Sequence, residues 1–501
     1  MIQLTRRELL QSSARLAFAS LALPAVSQLT ACLPKLDPVS KKGWQQLAAS
    51  ISGPVLFPTD PDYAKLAIPY NLSYAQILPF AIVRCANESD VVEVLRFIKM
   101  HNLPFAIRSG GHSYAGFSTT TGLLIDLKLM NRTEINPSTG VVTFEGGAVN
   151  ENLYHLMRKN NLAITHGRCP TVGAAAFVLG GGIGFNMRQH GLACDSLLAT
   201  DLIDAQGQKL TVSEAVNSDL FWACLGGGGG NLGINTSFSM QAFEAYSLTV
   251  FHITWRQKTE LVFSALMKAI ENAPYTLGSR VSLEAVTAEE FNLGKDVSLT
   301  LLGQFKGVPK ELKEIFEPAY REALPEAEDI RYLDYWEGQD FLEEEISPPS
   351  YFQESSTYLY EPFTSKLIEL LFYWLRRCPG TGTSSDLLLF QTGGRIDSIP
   401  ANASAYVHRK AKFIVDIDLD WTEQDSQRTV LNAIEWKRHF YEALLSFGLK
   451  GAYQNFPDPS LKNWEQAYFG DNFPRLQKIK AQIDPSYFFR FNQSIRPPAF
   501  K

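Results

Sequence analysis

Five glycines in a row, Gly226–Gly230, lie inside the segment Phe221-Trp-Ala-Cys-Leu-Gly-Gly-Gly-Gly-Gly-Asn-Leu-Gly-Ile234. A tract of this kind ordinarily reads as a flexible linker. Here an apolar, strand-like run follows at once, so the glycines belong to a turn within a domain, where backbone can approach a ligand or another backbone closely. Two more glycine turns precede it. Arg108-Ser-Gly-Gly-His-Ser-Tyr-Ala-Gly-Phe-Ser118 joins permissive glycines to one cationic and several hydroxyl donors, and Gly167-Arg-Cys-Pro-Thr-Val-Gly173 leads to Gly180-Gly-Gly-Ile-Gly184. Backbone N–H groups cleared of side chains can close on a phosphate or lie against a flat ligand.

Periodicity places the first turn at a strand end. Residues 79–85 (PFAIVRC) are apolar and strand-like, Asn87 with Asp90 reads as a helix cap, and Val91, Val94, Leu95 and Ile98 recur at helical spacing. Phe105–Arg108 reads as the next strand, giving a β-α-β unit that opens onto Ser109-Gly-Gly-His112. Strand-like runs at 122–127, 141–145 and 199–204, with a helix at 150–160, extend this half over 75–247. Over 248–450 the runs VFHITW, VSLTLLGQF, SSDLLLFQTG and KFIVDIDLDW alternate with amphipathic stretches such as 259–272 and 429–446. That texture predicts an antiparallel sheet carrying helices on one face. The fold class is therefore α+β, a two-part ligand-binding domain plus a substrate domain. The tail, 451–501, is expected to return to the first domain. With 501 residues and 45% hydrophobic content the chain is large enough for two packed domains. Lys+Arg at 46 against Asp+Glu at 52 leaves a net charge of −6, which excludes the broadly basic surface of a nucleic-acid binder.

The amino terminus reads as an address. Thr5-Arg-Arg-Glu-Leu-Leu10, an uncharged stretch from Leu16 to Leu29, and Leu29-Thr-Ala-Cys32 form a charged region, an apolar region and a small-residue cleavage site. The twin arginines resemble the signal for export in the folded state, and the last four residues a bacterial lipobox. Residues 1–31 are then an export signal, Cys32 carries a lipid, and the protein is a periplasmic or cell-envelope lipoprotein. An ordinary signal peptide with an incidental cysteine is the plainer alternative. No later stretch reaches the roughly 18 apolar residues of a span, so that lipid is the expected membrane contact. Residues 32–74 read as a lead-in segment. Six cysteines are too few for a disulfide scaffold at this length, and pairing among Cys85, Cys194, Cys224 and Cys378 is left open.

The three turns, in this order and spacing, resemble the flavin-binding domain of the berberine-bridge-enzyme-like oxidases, within the vanillyl-alcohol-oxidase superfamily. Gly451-Ala-Tyr-Gln-Asn-Phe-Pro-Asp458, Tyr468-Phe-Gly and Asp484-Pro-Ser-Tyr-Phe-Phe-Arg-Phe-Asn-Gln-Ser-Ile495 are similar to that family's last segment, so the likeness spans about 50–497. The resemblance implies FAD, covalently linked through His112 to the 8α-methyl and through Cys169 to C6 of the isoalloxazine. It assigns Arg108, Ser109, Gly110, Gly111, Ser113 and Gly173 to cofactor binding, with Gly181, Gly182, Ile234 and Asn492. No metal is expected. A cofactor inserted before translocation would also explain a signal for folded export. Four positions depart from the family. Phe177 stands where a histidine is frequent, Phe456 replaces a tyrosine that acts as base in some carbohydrate oxidases, and Ile183 replaces a tyrosine beside the flavin. Ala174 falls where residue size is thought to control dioxygen access, and a methyl group leaves room.

The chemistry is expected on one strand. From Phe413 to Trp421 residues alternate, with Asp416, Asp418 and Asp420 on one face and Phe413, Val415, Ile417 and Leu419 on the other. Such a face is either solvated or lines a polar site. Taking a hydride from a C–OH carbon requires a base for the hydroxyl proton. The resemblance places Asp416 as that base, Tyr453 as an orienting or relaying group and Tyr114 as a substrate contact, and Asp418 nearby would sharpen Asp416. The expected function is oxidation of an alcohol carbon, such as one of a carbohydrate, by FAD, with dioxygen reduced to hydrogen peroxide. The alternatives are the same chemistry on a secondary-metabolite alcohol or amine, or a flavin-loaded binding protein without turnover.

Overall fold

The computed structural model describes residues 39–344 and 347–498. The expected export signal and Cys32 lie outside the described residues. The first sheet contains β1 (Val55–Leu56), β2 (Ala81–Arg84), β3 (Phe105–Arg108) and β4 (Leu123–Asp126) in the order β1-β2-β4-β3. β2, β4 and β3 run parallel. The two strands of the expected β-α-β unit are thus not neighbours, because β4, buried at all four residues, takes the central place between them. The connecting helix, Glu88–His101, starts where Asn87 accepts from the Asp90 N–H. Asp90 in turn accepts from the N–H groups of Ser52, Gly53 and Ala86, which ties the preceding loop to the helix. The lead-in therefore builds part of this layer: β1 pairs with β2, and Trp44 packs on Phe97 at 4.9 Å between ring centroids.

The next strands are β5 (Thr133–Asn136), β6 (Val141–Glu145), β7 (Leu162–Ala163), β8 (Leu197–Ile203), β9 (Lys209–Ser213), β10 (Ile234–Gln241) and β11 (Phe243–Glu244). Five of them form an antiparallel sheet ordered β5-β6-β10-β8-β9, and β7 pairs with β11. The glycine tract runs straight into β10, so it is a turn and not a linker.

Seven antiparallel strands make the third sheet: β12 (Leu248–Trp255), β13 (Leu277–Glu284), β14 (Ser298–Phe305), β15 (Ala327–Leu333), β16 (Tyr351–Leu359), β17 (Ser385–Gln391) and β18 (Phe413–Trp421). Their order is β15-β12-β14-β13-β17-β18-β16. Helices Thr259–Glu271, Pro309–Glu322, Ser365–Leu375 and Gln427–Phe447 cover one face. Phe251, Val281, Leu301, Leu389, Val415 and Ile417 enter that core, each contributing roughly 1.5–3 kcal/mol by leaving water. Alternation sends the neighbours of these residues, Asp416 and Asp418 among them, to the opposite face.

The last segment closes on the glycine tract. Lys480 donates to the carbonyls of Asn231 and Phe489 and pairs with Asp484 at 2.8 Å, both side chains fully buried. The Ile495 N–H donates to the Asn231 side chain at 2.9 Å. Among the described residues no helix is long and apolar enough to cross a membrane.

Candidate active site

A cavity of about 1190 Å³ lies between the glycine turns and the uncovered face of the third sheet. Ligand pockets run roughly 300–1,000 Å³, so this one has room for a dinucleotide and a substrate together. At its turn end two backbones touch. A Cβ on Gly110 would stand 2.2 Å from the Gly173 nitrogen, and one on Gly173 would stand 2.6 Å from Ser109 Oγ. Only glycine fits at either place.

His112 and Cys169 meet on this wall through one hydroxyl: His112 Nε2 lies 2.9 Å and Cys169 Sγ 3.4 Å from Thr171 Oγ1. The Tyr70 ring stacks on the imidazole at 4.0 Å between centroids. Burial, with Lys128 nearby, pushes His112 down to about 4. Its imidazole is therefore neutral near pH 7 and keeps the lone pair that a bond to an electrophilic carbon requires. Ser109 Oγ is buried with no hydrogen-bond partner among the described residues, leaving a hydroxyl donor for a ligand oxygen. Gly111 and Ser113 line the same wall, while Ile234 and Asn492 reach it from β10 and the last segment. This donor set, cleared backbone and paired nucleophiles fit FAD.

Other expected residues lie elsewhere. Arg108 turns its guanidinium away from the cavity and donates to the carbonyls of Leu66, Ala67 and Ser118, so it pins loops instead of reaching a ligand. A buried guanidinium finds its cheapest partners in carbonyls that would otherwise be unpaired. Gly181 and Gly182 lie behind the wall: a Cβ on Gly181 would meet Tyr406 and Tyr453, and one on Gly182 would meet Ala193 and Phe177. Their positive φ angles, 118° and 82°, shape the turn instead. Ala174 is buried in the core, and Ala175, Ala176 and Phe177 face the cavity at that point.

The opposite wall is acidic. Asp416, Asp418 and Asp420 project from β18 and Glu354 from its neighbour β16. Burial is the first cause that raises all four carboxyls, Asp416 and Asp420 to about 6 and the other two well above the usual range. Repulsion from neighbouring carboxylates adds to this at Glu354, Asp418 and Asp420. Arg280 of β13 opposes this at Asp418, and is itself lowered to about 10 by burial and Arg168.

Between the two walls stand aromatic rings. Tyr114 stacks on Phe456 at 5.3 Å and 11° and meets Phe352 edge-on at 5.0 Å. The Tyr453 oxygen accepts from the Gly182 N–H at 3.0 Å and Asn455 Nδ2 at 3.1 Å, and its own N–H donates to Ser356 Oγ at 3.0 Å. Ser356 faces Asp416 across the β16–β18 ladder, so Tyr453 is tied to the strand that borders the carboxylates. Burial pushes the Tyr453 phenol upward.

Sequence reasoning missed Tyr70, Thr171, Glu354 and Arg280. Thr171 sits inside the Gly167–Gly173 turn, two residues past Cys169, and its polarity at that spacing is its only signal. Glu354 and Arg280 belong to β16 and β13, whose segments lack clean alternation.

Residues 79–213 match the FAD binding domain family, and residues 452–496 match the family described as berberine and berberine like. The FAD-linked oxidoreductase YgaK of Bacillus subtilis is 31% identical over 457 residues, covering 89% of this chain and 97% of the relative. Reticuline oxidase of Eschscholzia californica is 28% identical over 467 residues, 84% of each chain. Among solved structures, a berberine bridge enzyme variant superposes with a TM-score of 0.81 at 25% identity, covering 91% of this chain and 99% of the other. A carbohydrate oxidase from Microdochium nivale superposes with a TM-score of 0.78 at 25% identity, with the same coverage.

Proposed function

Because this chain belongs to the berberine-bridge-enzyme-like FAD-linked oxidoreductases, we propose that it oxidises an alcohol carbon of a carbohydrate or similar polyhydroxyl compound. In this reading FAD is held covalently by His112 and Cys169, and dioxygen is reduced to hydrogen peroxide. Bound FAD supplies the two-electron acceptor for the hydride. The observation that carries the reading is Asp416, fully buried, on the cavity wall and with neither oxygen in a full hydrogen bond among the described residues. Held near 6, it is ionised at neutral pH yet basic enough to take the proton of a substrate hydroxyl as the hydride leaves the adjoining carbon. Burial raises the Tyr453 phenol, so it stays protonated near pH 7 and is not the proton acceptor; it orients the site through Gly182, Asn455 and Ser356. Tyr114, Phe456 and Phe352 offer ring faces against which the apolar side of a substrate can lie and exclude water.

The Tyr114–Phe456 stack favours one second reading, the same chemistry on an aromatic secondary-metabolite alcohol or amine. Peroxide release from sugars and from such compounds separates the two. Attachment is tested by acid-precipitating the protein and recording the spectrum of the washed, redissolved pellet. Flavin is expected to stay in the parent pellet and in His112→Ala and Cys169→Ala singly, and to vanish in the double variant; a colourless parent pellet overturns covalent attachment. Export as a lipoprotein remains part of the proposal, and labelled palmitate incorporated by the parent and not by Cys32→Ser is its check.

A further inference from the structure

We propose that Glu354 is the positioning partner of Asp416, the two carboxyl groups sharing one proton that Glu354 keeps, so that the base of this site is a pair. The inference rests on the reading of Asp416 as the group that takes the substrate's proton. β16 and β18 are antiparallel neighbours, with Glu354 opposite Asp418 and Ser356 opposite Asp416. Glu354 and Asp416 are therefore diagonal neighbours on one face, within reach of each other, and both line the cavity. Two ionised carboxylates side by side and out of water repel strongly, and a single shared proton removes the conflict.

The surroundings decide who holds it. Toward Glu354 stand three carboxyls of one strand, Asp416, Asp418 and Asp420. Toward Asp416 stands Lys437, from the helix Gln427–Phe447, with Asp458 of the last segment beyond it. Lys437 is buried, donates to the Glu354 carbonyl and to Ser355 Oγ, and lies 4.0 Å from Asp458. The remaining groups are Asp386 and Arg280, which face Asp418, and the Tyr114 and Tyr441 phenols, which both feel Asp416. Burial raises Glu354 well above the usual range, and Asp416 is the next cause. Burial raises Asp416 only to about 6, because the Glu354 carboxyl and Lys437 oppose it. Asp418 repels both members. In turnover the substrate O–H bond breaks and its proton goes to Asp416. FAD held at the turn wall would accept the hydrogen and electron pair of the C–H bond as the C=O bond forms, and Glu354 retains its own proton throughout.

The test needs no identified substrate. Infrared spectra of the holoenzyme are recorded as pH is varied for the parent, Asp416→Asn, Glu354→Gln and Glu354→Leu. The parent is expected to show a protonated carboxyl band at about pH 8 that loses intensity in Glu354→Gln. Two ionisations near 6 are expected, of Asp416 and Asp420, and the one that is lost in Asp416→Asn should stay in place in Glu354→Gln, whose amide can still donate. In Glu354→Leu the Asp416 ionisation should move up by about one unit while that of Asp420 stays. An unchanged band in Glu354→Gln overturns the pair, as does an unmoved ionisation in Glu354→Leu; if the leucine variant does not fold, the glutamine variant decides alone. Flavin in the acid pellet of the same parent sample reads the oxidase proposal separately, so a yellow pellet with unchanged infrared spectra sinks only the pair.

Discussion

The two walls of the cavity are built on opposite principles. The turn wall is made of backbone: Gly110 and Gly173 touch, His112 is neutral, and His112 and Cys169 share a single threonine hydroxyl. The sheet wall is made of side chains, four carboxyls from two strands, and its properties come from charge out of water. The first therefore tolerates no added atom, and the second no changed charge. Holding a cofactor demands shape, whereas moving a proton demands a tuned pKa.

The largest break is expected at the turn wall. Gly173→Val places a Cβ 2.5 Å from the Gly110 nitrogen, backbone against backbone, and should abolish flavin retention, read as the ratio of flavin to protein absorbance. Asp416→Asn, on the other wall, should leave that ratio unchanged and slow anaerobic flavin reduction by about 10²–10⁴-fold. Equal loss of flavin in both variants would erase the contrast. Lys480→Met strands the fully buried Asp484 beneath the glycine tract and should cost about 3–5 kcal/mol of stability, measured by denaturant unfolding.

The walls also differ in their response to pH. Asp416 and Asp420 are raised to about 6 from an ordinary range of about 4, so the folded state holds their protons more tightly than the unfolded chain does. Their contribution to stability is complete below about 4 and is lost as pH rises through about 6. A melting series should show this fall and its reduction in Asp420→Asn. Flavin reduction is expected to run the other way and decline as pH drops through about 6, because Asp416, the proposed base, becomes protonated. The smallest effect is expected for Tyr114→Phe, which keeps the ring stack on Phe456 and should change the reduction rate less than about tenfold.

Legibility follows the same division. The turns could be read because each is a short contiguous segment whose glycines have a local reason, and the cap at Asn87 is local as well. Aspartates alternating with apolar residues also revealed both faces of β18. Glu354 escaped because β16 carries Ser355, Ser356 and Thr357 in a row, all buried. Two of them are satisfied from the last segment: Ser355 donates to Asp458, and Ser356 accepts from the Tyr453 N–H. Polar residues matched by distant partners erase the apolar pattern on which strand reading depends. Arg108 misled for a related reason, since a charged residue beside a glycine turn looks like a ligand contact until its carbonyl partners are known.

Local chemistry was enough to determine the α+β class, the three backbone turns, the two candidate nucleophiles and the strand that bears the carboxylates. These depend on residue type at short range, where glycine, proline, capping side chains and alternation act within a few positions. Only the tertiary structure decided that β4 lies between β2 and β3, that Thr171 joins His112 to Cys169, and that Glu354 adjoins Asp416. Strand order and the charge a buried group feels are set by whichever distant segments pack beside it, and no short window of sequence contains them.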